Sequence, residues 1–270
     1  MDFGQLKPGY VAVLGLPLDE NSSFLRGPAQ APAKIREVLH SGSSEYVSED
    51  GPYLRDHPRW RDLGDLSLGT GEAAMNTITE AADAVLRRGA KLLSLGGDHS
   101  VTFPVLRGFA KHHPGLTLLH LDAHPDLYHD FEGNFYSHAS PFARILEEGL
   151  VTRLVQVGIR TMNPHQREQA RRFGVEVIEM KDWHGQLPEL SGPLYISLDL
   201  DSLDPAFAPG VSHHEPGGFS VREVLQILAQ VKAPVVGADI VELNPARDVV
   251  GVTAAVAAKF YKELLAKMLS

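Results

Sequence analysis

The chain contains no cysteine in its 270 residues. That excludes a disulfide framework and any thiolate metal site, structural zinc of the thiolate kind among them. No apolar run approaches the length needed to cross a bilayer. The N-terminus, Met1-Asp-Phe-Gly-Gln-Leu-Lys-Pro8, has no basic segment leading into an apolar core, so no signal peptide is visible. Positive charge is scarce: 25 lysines and arginines face 34 aspartates and glutamates, for a formal charge of -9. Such a balance argues against a nucleic-acid partner and suits a small cationic substrate. From these absences the chain is expected to be cytoplasmic, with no nucleic acid and no membrane among its partners. No linker, low-complexity tract or internal repeat divides the sequence, which reads as one domain over 1–270.

What is present is alternation. Short apolar runs at 11–16, 91–95, 116–121, 154–158, 175–179, 194–198 and 235–241 read as strands, with a further short one at 60–63. Between them, 33–39, 73–88, 101–112, 141–148, 166–173, 221–229 and 253–269 carry apolar residues at helical spacing. Strands alternating with helices predict an α/β fold whose parallel sheet is covered on both faces. An open three-layer sandwich and an eight-stranded barrel fit this pattern equally well. Both place functional groups at the carboxyl ends of strands.

Four of those strand ends carry chemistry. Gly96-Gly-Asp-His99 follows one strand, Asp122-Ala-His124-Pro-Asp126 a second, Asp199-Leu-Asp201 a third, and Glu242 closes the fourth. In an extended chain, groups at every second residue share a face. Carboxylates gathered at the end of a buried strand repel one another and are costly to desolvate unless a cation sits between them. His99, Asp122, His124, Asp126, Asp199 and Asp201 are more ligands than one ion requires, which points to a centre of two ions. Imidazole and carboxylate donors leave Mn, Mg, Zn, Fe or Ni as candidates. Taken alone, His99 would be a solvated turn histidine and Glu242 a surface carboxylate; the joint pattern carries the reading.

The segments Gly96-Gly-Asp-His-Ser100, Asp122-Ala-His-Pro-Asp126, Ser197-Leu-Asp-Leu-Asp-Ser-Leu-Asp-Pro205 and Gly237-Ala-Asp-Ile-Val-Glu-Leu-Asn-Pro245 resemble, in order and spacing, the signature segments of the ureohydrolases, the arginases and agmatinases. The resemblance spans essentially the whole chain. It implies a three-layer α/β/α sandwich around a mostly parallel eight-stranded sheet, and a homo-oligomer, trimer or hexamer. It also implies two manganese ions per subunit, one held by His99, Asp122, Asp126 and Asp199, the other by Asp122, His124, Asp199 and Asp201. Activated water would attack the guanidinium carbon, with Glu242 pairing with the guanidinium, Asp126 acting within the catalytic set and His138 shuttling the proton that the leaving amine needs. His213 falls where the family's loop passes over the guanidinium, while His214, His112, His113, His129 and His184 read as structural or solvated.

Within the family, the stretches 130–145 and 205–213 look most like plant-type arginases, which group with bacterial agmatinases. Asn163 stands where animal and Bacillus-type arginases have an aspartate for the substrate α-amino group. That leaves Glu132, or a neighbouring subunit, to supply the missing contact. On this ground agmatine, giving putrescine and urea, is the expected substrate, with L-arginine, giving ornithine and urea, as the alternative. Another guanidino or formimino hydrolase is a weaker fit, since no cationic cluster for a distal carboxylate can be placed.

Overall fold

The apolar runs become β1 (Val11–Gly15), β2 (Trp60–Asp65), β3 (Lys91–Leu95), β4 (Thr117–Leu121), β5 (Arg153–Ile159), β6 (Glu176–Glu179), β7 (Leu194–Asp199) and β8 (Val235–Val241). The structure is a computed structural model describing residues 2–270. All eight strands join one sheet in the order β2-β1-β3-β8-β7-β4-β5-β6, and every neighbouring pair is parallel. β2 and β6 are its free edges, so the sheet is open rather than a barrel. Sequence periodicity cannot separate these two architectures, because a strand buried on both faces has the same pattern in each.

Among the described residues, seven α-helices flank the sheet: α1 (Ala31–His40), α2 (Gly71–Leu86), α3 (Thr102–Phe109), α4 (Pro141–Glu147), α5 (Pro164–Phe173), α6 (Val221–Gln230) and α7 (Val252–Leu269). α7 packs on α1 and α6, whereas α3 packs on α2 and α4. Alternate strand residues feed two cores accordingly. Val13, Leu93, Leu119, Ile196 and Ala238 face the α1–α6–α7 layer, and Ala12, Leu92, Leu118 and Tyr195 face the α2–α3–α4 layer. α7 shows why it lies down: Ala254, Ala257, Ala258, Tyr261, Leu264, Leu265 and Met268 repeat at three and four residues and are all buried. Truncating a fully buried sheet residue such as Leu119 to alanine costs about 2–5 kcal/mol.

Two helix starts carry capping boxes, and the one at α5 bears on the site. Ser220 and Glu223 form a capping box at α6, and Asn163 and Gln166 form one at α5, where Pro164 takes the first turn. α5 ends at Gly174, whose φ of 65° is the left-handed conformation that glycine accepts without strain.

Candidate metal centre and active-site cavity

Strand order explains the convergence. β3, β8, β7 and β4 are adjacent, so the chain segments leaving their carboxyl ends meet at one point. After β3, Gly96-Gly97 lets the segment around Leu18 pass close by; a Cβ on Gly97 would lie 1.8 Å from the Leu18 carbonyl oxygen. Gly97 is therefore required by close approach. At the other ends, Asp126 and Glu242 adopt left-handed backbone conformations, with φ of 49° and 67°. Non-glycine residues held there are strained, and such strain gathers at functional sites.

The six expected ligands lie together and all but His124, which is half-buried, are buried. His99 Nδ1 is 3.1 Å from Asp122 Oδ2, 3.2 Å from Asp126 Oδ2 and 3.0 Å from Asp199 Oδ2. His124 Nδ1 is 2.9 Å from Asp201 Oδ2 and 3.4 Å from Asp122 Oδ1. Backbone donors aim the carboxylates: His124 N–H donates to Asp122 Oδ1 at 2.6 Å, Asp201 N–H to Asp199 Oδ1 at 2.7 Å, and Ala123 N–H to Asp201 Oδ1 at 3.2 Å.

These residues fit a bound divalent cation. His99 Nδ1 is buried and makes no hydrogen bond, a donor atom left bare. Burial, then Asp201 and Asp122, push the Asp199 carboxyl well above its usual range. Burial and Asp122 likewise push Asp201 up to about 6. Negative charge is thus in excess at the point where imidazole nitrogen and carboxylate oxygen converge, a donor set suited to borderline or hard divalent metals.

Beneath the ligands runs a polar row that sequence reasoning missed. Ser94, Asp239, Ser197, His120 and Gln156 are register partners across β3, β8, β7, β4 and β5. His99 Nε2 lies 2.9 Å from Ser197 Oγ, and Ser197 donates to Asp239 Oδ1 at 2.7 Å. Asp239 Oδ2 is held in turn by the hydroxyls of Tyr195 and Thr102. This chain places the His99 ring proton on Nε2 and keeps Nδ1 free to ligate. His120 joins Asp122 Oδ2 at 2.8 Å through Nε2, while its Nδ1 accepts from the Gln156 amide at 3.0 Å. With that tautomer, His120 Nε2 carries a proton. Though near enough to group with His99 and Asp122, His120 therefore orients a ligand instead of being one. Its signal was in the sequence: it precedes Asp122 by two residues and shares its face.

Above the ligands opens a cavity of about 480 Å³, lined by His124, Asp126, Asp199, Asp201, His138, Glu242 and His213 at the chemical end and by Tyr128, Phe131, Thr161, Asn163 and Gln166 farther out. Glu242 Oε1 accepts from the His99 backbone N–H at 2.8 Å and faces His138 Nδ1 at 2.7 Å. Burial opposes charge on His138, yet Glu242 outweighs it and raises the imidazole to about 9. Ser23 reaches His138 Nε2 through both its N–H, at 3.0 Å, and its hydroxyl, at 2.8 Å. The His213 ring centre lies 5.3 Å from that of His138 and 5.9 Å from that of His124, and burial, then His138, lower its pKa. His214 is exposed and bonds the Pro209 carbonyl through Nε2 at 2.7 Å.

Two expected substrate contacts fall out differently. Asn163 lines the cavity, but its Oδ1 caps the Gln166 N–H at 2.9 Å and its Nδ2 donates to Tyr128 OH at 2.7 Å, so its amide is engaged within the protein. The Asn-Pro-x-Gln pattern at 163–166 signalled this capping role. Glu132 is exposed, at φ 53° in the tip of a tight turn between Phe131 and Asn134, and does not line the cavity. The expectation that it reaches substrate is not met within this chain, because the turn directs it to solvent. As built, the site can hold cations, take a planar cation on the free Glu242 oxygen, and move a proton through His138.

A sequence model of the Arginase family matches residues 10–266. Arginase 1, mitochondrial, of Arabidopsis thaliana is 50% identical over 275 aligned residues, covering 95% of this chain and 80% of that protein. The agmatinase of Bacillus anthracis is 34% identical over 267, covering 94% and 90%. Among solved structures, arginase from Medicago truncatula superposes with a TM-score of 0.91 at 46% identity, covering 96% of this chain and 87% of that one. Several plant relatives are named mitochondrial or chloroplastic. Those names overturn the cytoplasmic expectation, which rested on the lack of a signal-peptide pattern, a feature that does not report on organelles.

Proposed function

The chain belongs to the arginase family, hydrolases of guanidino C–N bonds, and we propose that within it the substrate is L-arginine, converted with water to L-ornithine and urea. One observation carries this choice: named arginases reach 50% identity over nearly the whole chain, whereas named agmatinases reach 34%. It reverses the order expected from Asn163, whose amide serves the start of α5.

The bare His99 Nδ1 and the clustered carboxylates fit two divalent cations, manganese by preference. His99, Asp122, Asp126 and Asp199 would hold one, and Asp122, His124, Asp199 and Asp201 the other. When bound, the cations supply the Lewis acidity that makes water nucleophilic near neutral pH. Glu242 is fixed through Oε1 by the His99 N–H and His138, so its second oxygen is presented to the guanidinium and orients the central carbon for attack. Tetrahedral collapse breaks the bond to the alkyl nitrogen, which leaves as an amine only if protonated. As built, His138 Nε2 accepts from the Ser23 N–H, so the ring takes a second proton only when that contact is released; Glu242 favours the charged form, from which the ring would give the proton to the leaving amine. His213, kept neutral by burial and by His138, walls the guanidinium end.

Product analysis tests the proposal. Manganese-loaded protein given L-arginine should release ornithine and urea in equal amounts, and His138→Ala should lower kcat far more than it changes KM. Urea at the level of a no-enzyme control would reject arginine as substrate.

A further inference from the structure

Away from the metal ligands, the cavity lining holds donors without acceptors. Gln166 is 4% exposed, and its Oε1 accepts from the Asn163 N–H at 3.3 Å, which assigns the other amide atom as nitrogen. Among the described residues nothing accepts from that Nε2, and Gln166 lines the cavity. Beside it, Tyr128 OH accepts from Asn163 Nδ2 and so has its own hydrogen to give. The Tyr128 ring is fixed by stacking on His165, centres 5.8 Å apart, and by the edge of Phe131 at 5.0 Å. Both groups sit at the start of α5, whose N-terminal peptide dipoles favour an anion. No lysine or arginine lines the cavity, so an anionic group there would be met by these neutral donors.

We propose that Gln166, with Tyr128 beside it, receives the α-carboxylate of arginine and thereby sets the discrimination between arginine and its decarboxylated counterpart agmatine. This rests on the arginase reading above. With the guanidinium at Glu242, the rest of the same molecule extends into the cavity that Gln166 and Tyr128 also line. An amide nitrogen that lines the cavity and has no acceptor within the protein gains from the carboxylate a charge-assisted hydrogen bond that agmatine cannot offer.

Gln166→Glu tests it with little disturbance of α5, because glutamate at this helix position keeps the capping box. It replaces the donor by a second carboxylate. In manganese-loaded enzyme we expect the KM for arginine to rise by about tenfold or more with kcat much less affected, since one charge-assisted hydrogen bond becomes a repulsion. The kcat/KM ratio of arginine to agmatine should fall by at least the same factor. Tyr128→Phe should shift the ratio in the same direction by less. If Gln166→Glu unfolds the protein, Gln166→Met, close in size and without the N–H, is read in the same way. An unchanged ratio, or an equal loss with both substrates, overturns the assignment. If wild type releases no urea from arginine, the arginase reading itself falls and this inference with it. That failure shows in the wild type alone, whereas failure of the Gln166 assignment shows only in the variants.

Discussion

Replacing Glu242 by glutamine isolates the pair at the centre of the proton path. In the folded protein His138 is almost wholly buried, and burial alone would depress its pKa below the ordinary 6.5; Glu242 reverses this and raises it to about 9. A difference of about 2.5 units corresponds to roughly 3 kcal/mol of preference for the charged ring. The sign follows from linkage. A raised folded-state pKa adds stability that is fully present below pH 6.5, the unfolded value, and is lost as pH climbs through about 9. Glu242→Gln keeps the shape and removes the charge. In chelator-treated protein, where the ring senses only protein groups, histidine NMR titration should find His138 near 9 in wild type and at or below about 6.5 in the variant. Thermal unfolding should show wild type ahead of the variant at pH 6, with most of the margin gone at pH 10. A variant ring still titrating near 9 would refute the argument, since another group would then be holding the charge.

Asp199→Asn removes charge from the carboxylate nearest His99 Nδ1, and urea release should fall by orders of magnitude while the circular dichroism spectrum and cooperative unfolding persist. Asp239→Asn disturbs the Ser197 relay that fixes the His99 tautomer, and should weaken manganese retention against a competing chelator by about 10–100-fold. Gly97→Ala drives a methyl group into the Leu18 carbonyl; overpacking between two backbones costs on the order of 3 kcal/mol, and the melting temperature should drop by roughly 6 °C or more.

The strands and helices were legible because their periodicities are local, and the ligands because acids at every second residue after an apolar run have few other uses. The closed-or-open question was not, since a doubly buried parallel strand has the same pattern in a barrel and in a sandwich. The polar row beneath the metal centre was hidden for a different reason. Ser94 meets Asp239, and Asp239 meets Ser197, only because β8 inserts between β3 and β7, a long-range register that no local pattern encodes. His120 could have been found from its spacing to Asp122. Gln166 could have been placed at a helix start, but the free face of its amide depends on how α5 docks beside Tyr128. Once Asn163 offers no carboxylate, the sequence leaves Glu132 or a neighbouring subunit to supply one; the turn at 131–134 keeps Glu132 exposed and outside the cavity lining of this chain.

Competition in one vessel tests the central claim most directly. Manganese-loaded protein is given L-arginine and agmatine at equal concentrations below either KM, and the amines formed early are counted. The ratio of ornithine to putrescine then equals the ratio of the two kcat/KM values. The account predicts an excess of ornithine; an excess of putrescine would contradict it.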